Sequence, residues 1–376
     1  MDFDFWIIIM IAPLVEEQKK VKAQFHLNCV YLYFSKYCNL KCRHCWIDPL
    51  FSTDKLPKKD EIEIKTIISA LEECRELGMT SVKITGGEPF LREDIFELLA
   101  YLKNNKIEIV FETNATLIKE KEARALKEAN ASQVAVSLDG PEENIHQSLR
   151  GIAGSFKEAL EGIKFLKAEN LNVQVIISLW RKNKDYIKAT IDLSRHLGVN
   201  SVKLNIIQNI SRADKMVGGN EILGVKEVID FYKDLKEKLE KEAPFKVIFD
   251  IPPAFHPLVD GQLKDLATCG IMNILGILGD GKISICGIGR SSDTLILGRI
   301  DQNRIKDIWN GHPVLKEIRK NVPGNLEGVC GRCILRYYCL GKCRAEAFYT
   351  RGSLLAPLSF CQQAYEEGLF PQSRLI

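Results

Sequence analysis

The chain has 376 residues, 46% hydrophobic and 27% charged, a composition that supports a folded core and excludes a fibrous or wholly disordered protein. That length calls for one large barrel-like domain or two domains. Its 52 Lys and Arg against 49 Asp and Glu leave a formal charge of +3, so no global field recruits nucleic acid or an anionic membrane.

The first apolar run, Phe5 to Ala12, follows Asp2 and Asp4 and is halted by Pro13. It lacks the basic flank of an export signal and is too short to cross a bilayer as a helix. Residues 1–24 are therefore an extension without an assigned role, and neither a membrane span nor a nucleic-acid partner is expected. From there, Cys29 to Phe34, Ser81 to Ile84, Ile107 to Phe111, Gln133 to Leu138, Val173 to Leu179 and Ser201 to Ile206 predict strands, several of them continuously apolar. Helical periodicity fills the intervals at Glu61 to Leu77, Glu93 to Asn104, Lys119 to Asn130, Phe156 to Asn170 and Tyr186 to Leu197, with Val225 to Glu242 after the last strand. Alternating strands and helices give parallel βα units, because each strand needs a crossover to return in the same direction. Such a sheet is either open and doubly wound or curled. Six units fall two short of an eight-stranded barrel, and the expected class is α/β, a partial (β/α)6 barrel over residues 25–243.

In either architecture the reactive groups belong at the carboxyl ends of the strands. There the sequence places Cys38, Cys42 and Cys45; then Gly86, Gly87, Glu88 and Pro89; then Glu112, Thr113 and Asn114; then Ser137, Asp139 and Gly140. Trp180 and Arg181 follow the fifth strand, and Gln208 and Asn209 the sixth.

Twelve cysteines stand in the chain. They are crowded into two groups, a pattern of metal or redox chemistry in a reducing, cytoplasmic compartment rather than of a secreted disulfide framework. Cys38, Cys42 and Cys45 offer three thiolates in one short loop, which suits a cubic iron–sulfur cluster with one iron lacking a protein ligand. The alternative, a zinc knuckle completed by His44, departs from the paired spacing of zinc sites.

Three cysteines spaced by three and then two residues, followed by Gly-Gly-Glu-Pro after the next strand, resemble the radical S-adenosylmethionine (radical SAM) enzymes. The resemblance implies that the open iron chelates the amine and carboxylate of S-adenosylmethionine, whose cleavage yields a 5′-deoxyadenosyl radical. Gly86 and Gly87 would let backbone approach the bound methionine, and the Glu88-Pro89 step would fix the loop. Ser137 and Arg150 match positions that in relatives contact the carboxylate of the cofactor, a guanidinium binding it bidentately; a strand cap and a surface arginine are the alternatives. Glu112 and Asn114 are candidates for its ribose or ammonium, and His44 for its adenine.

In the second group Cys269 is followed after eleven residues by Gly281 and after four more by Cys286; Cys330, Cys333, Cys339 and Cys343 follow with gaps of two, five and three, and Cys361 closes the set. Asp280-Gly281 between Ile274 to Leu278 and Lys282 to Ile285 is a hairpin signal that brings Cys269 and Cys286 toward one end of a ribbon. A zinc ribbon would leave Cys269, Cys286 and Cys361 unexplained. The spacing is similar to the SPASM extension, here residues 269–376 after a bridging segment at 244–268. The resemblance implies two auxiliary clusters, one on Cys269, Cys286 and Cys343, the other on Cys330, Cys333, Cys339 and Cys361. With the first loop that makes three 4Fe-4S clusters besides S-adenosylmethionine. The first auxiliary cluster lacks a fourth ligand, since 244–268 holds no cysteine, and Cys29 and Cys74 read as small buried hydrophobes.

Most relatives with this extension modify peptides, and some act on tetrapyrroles. The expected function is maturation of a ribosomally made peptide through a thioether or other crosslink, with a reductant such as ferredoxin or flavodoxin and a leader segment as partners. The rivals are a tetrapyrrole-modifying enzyme, a sulfatase-maturing enzyme, and a non-enzymatic iron–sulfur or zinc module. Sulfatase-maturing relatives carry an Asp base directly after the second cysteine of the extension, where this chain has Gly287.

Overall fold

The structure, a computed structural model, describes residues 25–54, 61–240, 245–257 and 268–376. The apolar run of residues 1–24 and much of the bridging segment lie outside the described residues.

All the expected strands form, and they join a ten-stranded sheet. After β1 (Cys29–Ser35) and a short pair, β2 (Tyr37–Cys38) and β3 (Leu50–Phe51), come β4 (Ser81–Gly86), β5 (Glu108–Thr113), β6 (Gln133–Ser137), β7 (Val173–Leu179) and β8 (Ser201–Ile206). β1 and β4 to β8 lie side by side in parallel. Two additions were not read from sequence. β9 (Lys246–Asp250), within the bridging segment, pairs in parallel with β8. The expected hairpin, β10 (Ile274–Ile277) and β11 (Lys282–Ser284), does not stand apart: β10 pairs in parallel with β1, and β12 (Ile296–Arg299) follows β11 at the edge. Gly281, at φ +83°, makes the turn. β12 and β9 end the sheet order without pairing to each other, so the curl is open.

The helices Ile64–Glu76, Ile95–Asn104, Glu120–Glu128, Ser155–Ala168, Ile187–His196 and Val225–Glu240 follow their strands as expected. A further helix, Glu143–Arg150, was not anticipated: it has only two turns, and its Leu149 and Ile145 give too brief a period. No helix among the described residues is long and apolar enough to cross a membrane.

Strand alternation decides what faces where. Val30, Leu32 and Phe34, then Val82 and Ile84, Ile109 and Phe111, Val134 and Val136, Val175 and Ile177, and Val202 and Leu204 are buried in one continuous apolar core with the helices. The intervening residues Tyr31, Tyr33, Lys83, Glu112, Gln133, Gln174, Lys203 and Asn205 line an interior chamber. Each fully buried Leu or Ile contributes about 2 kcal/mol, so the outer layer holds the sheet while the inner face is free to carry polar chemistry.

Candidate functional site: a cysteine-lined chamber in an open barrel

β2 pairs with β3, Cys38 opposite Phe51, and closes the three-cysteine loop into a hoop. The N–H groups of Lys41 and Arg43 donate to the carbonyls of Arg150 and Leu149, both at 3.0 Å. The hoop is thereby clamped to the end of helix Glu143–Arg150, where Gly151 terminates the helix in the left-handed region. Cys38, Cys42, Cys45 and His44 line a cavity of about 170 Å³ together with Gly86, Gly87, Glu112, Asn114, Ser137 and Arg150.

Glu88 and Pro89 are not in that lining. Glu88 is fully buried behind it and accepts hydrogen bonds from Thr113 Oγ1 at 2.8 Å and from the N–H groups of Asn114 at 2.9 Å and Phe90 at 3.3 Å. It ties the loop after β4 to the loop after β5. The glycines also have a nearer cause than a ligand. A Cβ on Gly87 would lie 1.7 Å from the carbonyl oxygen of Tyr37, and one on Gly86, at φ +128°, would lie 2.8 Å from that of Ser35. Gly87 and Glu88 donate to those same two carbonyls at 2.8 Å, so the turn packs flat on the strand that leads into the cysteine loop.

Asp139 and Arg150 form the buried ion pair of the site, Nε to Oδ2 at 2.5 Å. Burial works against the ionised Asp139, but the Arg150 guanidinium, helped by His44 and His146, outweighs it and holds the carboxyl below its usual range. Asp139 also accepts the Ser178 N–H at 2.8 Å, and Arg150 Nη1 lies 3.6 Å from Cys42 Sγ. His44 Nε2 meets Ser178 Oγ at 3.2 Å. Enclosure, and then the Arg150 charge, lower the His44 pKa to about 4, so its ring is neutral. Asn114 donates to Asn39 Oδ1 at 2.8 Å and turns the same amide toward Cys38 Sγ at 3.9 Å. Glu112 is bridged to Lys83 at 2.5 Å.

Sequence reasoning left Asp139 without a role although it noted it on the rim, and missed Ser178, Lys83 and Arg212. Ser178 sits in an apolar strand that nothing marks. Arg212 joins the site from beyond β8 by bonding Asp48 of the hoop and the Pro49 carbonyl, a contact across 163 residues that no local pattern reports.

Below this rim the chamber widens to about 800 Å³. Cys269, Cys286 and Cys343 line it, while Cys330, Cys333, Cys339 and Cys361 surround a separate apolar space of about 20 Å³. That grouping coincides with the two sets implied by the resemblance. The residue after Cys286 is explained by packing: a Cβ on Gly287 would fall 1.8 Å from Cζ of Tyr33, whose phenol fills the place of a side chain there.

The donor chemistry fits iron–sulfur clusters. All the cysteines are free of disulfides, and the backbone N–H groups of Leu40, Leu335 and Glu346 point at the sulfurs of Cys38, Cys333 and Cys343, each at 3.4 Å. Burial raises the thiol of Cys45, and raises that of Cys286 to about 12 and that of Cys333 to about 11. These are sulfurs that need a cation before they ionise. Among the described residues no three His, Cys, Asp or Glu side chains converge on a point fit for a single metal ion.

Comparison with known proteins agrees with this chemistry. Residues 32–194 match the model of the radical SAM superfamily, and residues 269–334 match that of SPASM, an iron–sulfur cluster-binding domain. The chain is 30% identical over 358 residues to the Fe-coproporphyrin III synthase of Methanosarcina barkeri, covering 89% of this chain and 87% of that protein. It is 25% identical over 346 residues to the AdoMet-dependent heme synthase of Oleidesulfovibrio alaskensis, covering 87% and 85%. Among solved structures, Streptococcus suis SuiB bound to its precursor peptide SuiA superposes with a TM-score of 0.69 at 18% identity, over 96% of this chain and 82% of that one. The chain thus belongs to the radical SAM superfamily, an enzyme whose carboxyl-terminal part is a SPASM iron–sulfur cluster-binding domain.

Proposed function

We propose that this enzyme matures a ribosomally made peptide, installing a thioether or other crosslink by radical chemistry begun at the three-cysteine loop. When bound, a cluster on Cys38, Cys42 and Cys45 would supply a low-potential electron and an open coordination position for S-adenosylmethionine, the source of a 5′-deoxyadenosyl radical. In this reading the full complement is three 4Fe-4S clusters, and the electron comes from a reductant such as ferredoxin or flavodoxin.

The protein's own groups have separable tasks. Arg150, anchored to Asp139 through Nε with its Nη1 beside Cys42 Sγ, would offer the cofactor carboxylate N–H donors whose geometry is fixed before binding. Ser137 and the neutral His44 face the same space, as do Glu112 and Asn114. Glu88 and Pro89 hold the wall instead of touching the ligand. The chamber also presents the amides of Gln133, Gln174, Asn205, Gln208 and Asn209, groups that offer a donor and an acceptor each, as a peptide backbone does.

The observation that carries the peptide reading is the pairing of charge in the chamber. Its four cations stand against three carboxylates, Lys83 with Glu112, Arg181 with Glu227, and Lys203 and Lys342 sharing Asp250, which leaves at most one positive charge over from these pairs. A substrate bearing several carboxylates needs free cations to compensate their desolvation, and a largely neutral peptide does not. The tetrapyrrole reading draws on the names of the heme synthase and the Fe-coproporphyrin III synthase.

One experiment separates them. Anaerobically reconstituted enzyme is incubated with S-adenosylmethionine, a reductant, and either a short cysteine-bearing peptide chosen from the open reading frames flanking its gene or Fe-coproporphyrin III. The peptide is expected to lose two hydrogens by mass spectrometry while the tetrapyrrole is unchanged. Conversion of the tetrapyrrole with an untouched peptide would overturn the reading.

A further inference from the structure

Three thiols face the chamber from the SPASM side, and a cubane has four irons to satisfy. Cys74 is fully buried against the apolar core in helix Ile64–Glu76, and Cys29, at the start of β1, is outside the chamber lining. Glu346 is in that lining. It is 5% exposed, and its Oε2 is the one carboxylate oxygen among the described residues that is buried without a hydrogen-bond partner. Such an oxygen destabilises the fold unless something occupies its open lone pairs. Ser359 engages the side chain. The neighbouring Arg344 makes no hydrogen bond to it: its Nη1 and Nη2 donate to the carbonyls of Gly341, Leu354 and Ala356, and its Nε is likewise without a partner.

Local structure brings this carboxylate to the cysteines. Cys343 is the N-cap of helix Arg344–Arg351, and its sulfur accepts the N–H of Glu346 at 3.4 Å. Glu346 is therefore the third residue of the helix, the position whose side chain folds back toward the cap. Cys343 and Glu346 both line the chamber that Cys269 and Cys286 line.

We propose that Glu346 supplies the fourth protein ligand, through its carboxylate, to an iron–sulfur cluster held by Cys269, Cys286 and Cys343. This rests on the reading that those cysteines carry a cluster, and it makes that cluster a fully protein-ligated one at rest. No bond is broken or electron moved in the step: one carboxylate oxygen donates to the iron that the thiols leave open.

The test uses full-length protein reconstituted anaerobically, in a background with Cys38, Cys42 and Cys45 replaced by Ala so that the first cluster adds no signal. Protein grown with ¹³C-glutamate is expected to show a ¹³C coupling in the pulsed paramagnetic resonance of the reduced cluster, lost in E346A and E346C. Cyanide is expected to shift the spectrum of E346A and to leave those of the parent and E346C unchanged. An iron-replete parent without ¹³C coupling, or one that cyanide shifts as it shifts E346A, would overturn the proposal; so would a C29S variant that gains the cyanide shift, which would give the ligand to Cys29. The labelled parent decides the question even where E346A fails to fold. Should C269A/C286A/C343A keep the parent's iron content, the cluster reading itself falls, and the ligand with it. Should the coupling be present while no peptide is modified, the peptide reading fails and the ligand stands.

Discussion

Asp139 illustrates how much a single buried carboxylate organises here. It neutralises Arg150, accepts the backbone N–H of Ser178, and its own N–H donates to His146 Nδ1 at 3.2 Å. Asp139→Asn would leave the guanidinium buried beside a neutral amide. Removal of one partner of a buried pair costs about 3 kcal/mol; denaturant unfolding should show that loss, and S-adenosylmethionine binding should weaken with it. Unchanged stability would mean that Arg150 finds compensation elsewhere. His146 gives a pH signature. Burial lowers its pKa to about 4, below the unfolded value near 6.5. The unfolded chain therefore binds more protons between those values, so the stability that neutral His146 contributes is complete above pH 6.5 and is lost as pH falls toward 4, by about 3 kcal/mol at most. His44 and His256, also lowered to about 4 chiefly by burial, slope the same way. Melting temperature should fall between pH 7 and pH 5, and less steeply in His146→Asn.

The turn after β4 is the element on which the cofactor site depends, and its glycines are dictated by the strand beneath it. Gly87→Ala would drive a methyl group into the Tyr37 carbonyl and lift the turn away from Cys38; loss of S-adenosylmethionine binding with the cluster iron retained is the expected result, read by equilibrium binding and iron analysis. The strands were legible because their outward residues are Val, Ile, Leu and Phe at alternate positions, and the helices because each runs for nine residues or more, about two and a half turns. Helix Glu143–Arg150 escaped notice through brevity, yet it presents Arg150 and clamps the cysteine hoop. β9 escaped because its apolar run, between Lys246 and Asp250, is only Val247, Ile248 and Phe249, and Asp250 at its end is fixed by Lys203 and Lys342 across long chain distances.

Across the whole molecule, the SPASM hairpin continues the barrel sheet through β10 and β1, and Lys342 reaches from the second cysteine group to the Asp250 carboxylate and the Ile251 carbonyl. The chamber carries Cys269, Cys286 and Cys343 and shares Glu112, Asn205 and Gln208 with the cavity lined by Cys38, Cys42 and Cys45. The two groups of cysteines were legible in the sequence, but their division into ligand sets came only from the resemblance, since Cys269 and Cys286 meet Cys343 across more than fifty residues. What pattern could not supply was the pairing of the chamber's cations with Glu112, Glu227 and Asp250, because ion pairs formed between elements distant in sequence leave no periodic trace. Reconstituted protein should hold about twelve irons per chain, four in each of three cubanes, and Cys330→Ala with Cys361→Ala should lower that count while the first cluster's signal persists; an unchanged count would remove those two sulfurs as ligands.

The decisive measurement is the low-temperature paramagnetic resonance spectrum of anaerobically reduced protein before and after addition of S-adenosylmethionine. A cubane signal that shifts on addition, and that disappears when Cys38, Cys42 and Cys45 are replaced by Ala, is expected. A signal indifferent to S-adenosylmethionine, or one that survives those replacements with its shift intact, would contradict an open iron at the three-cysteine loop.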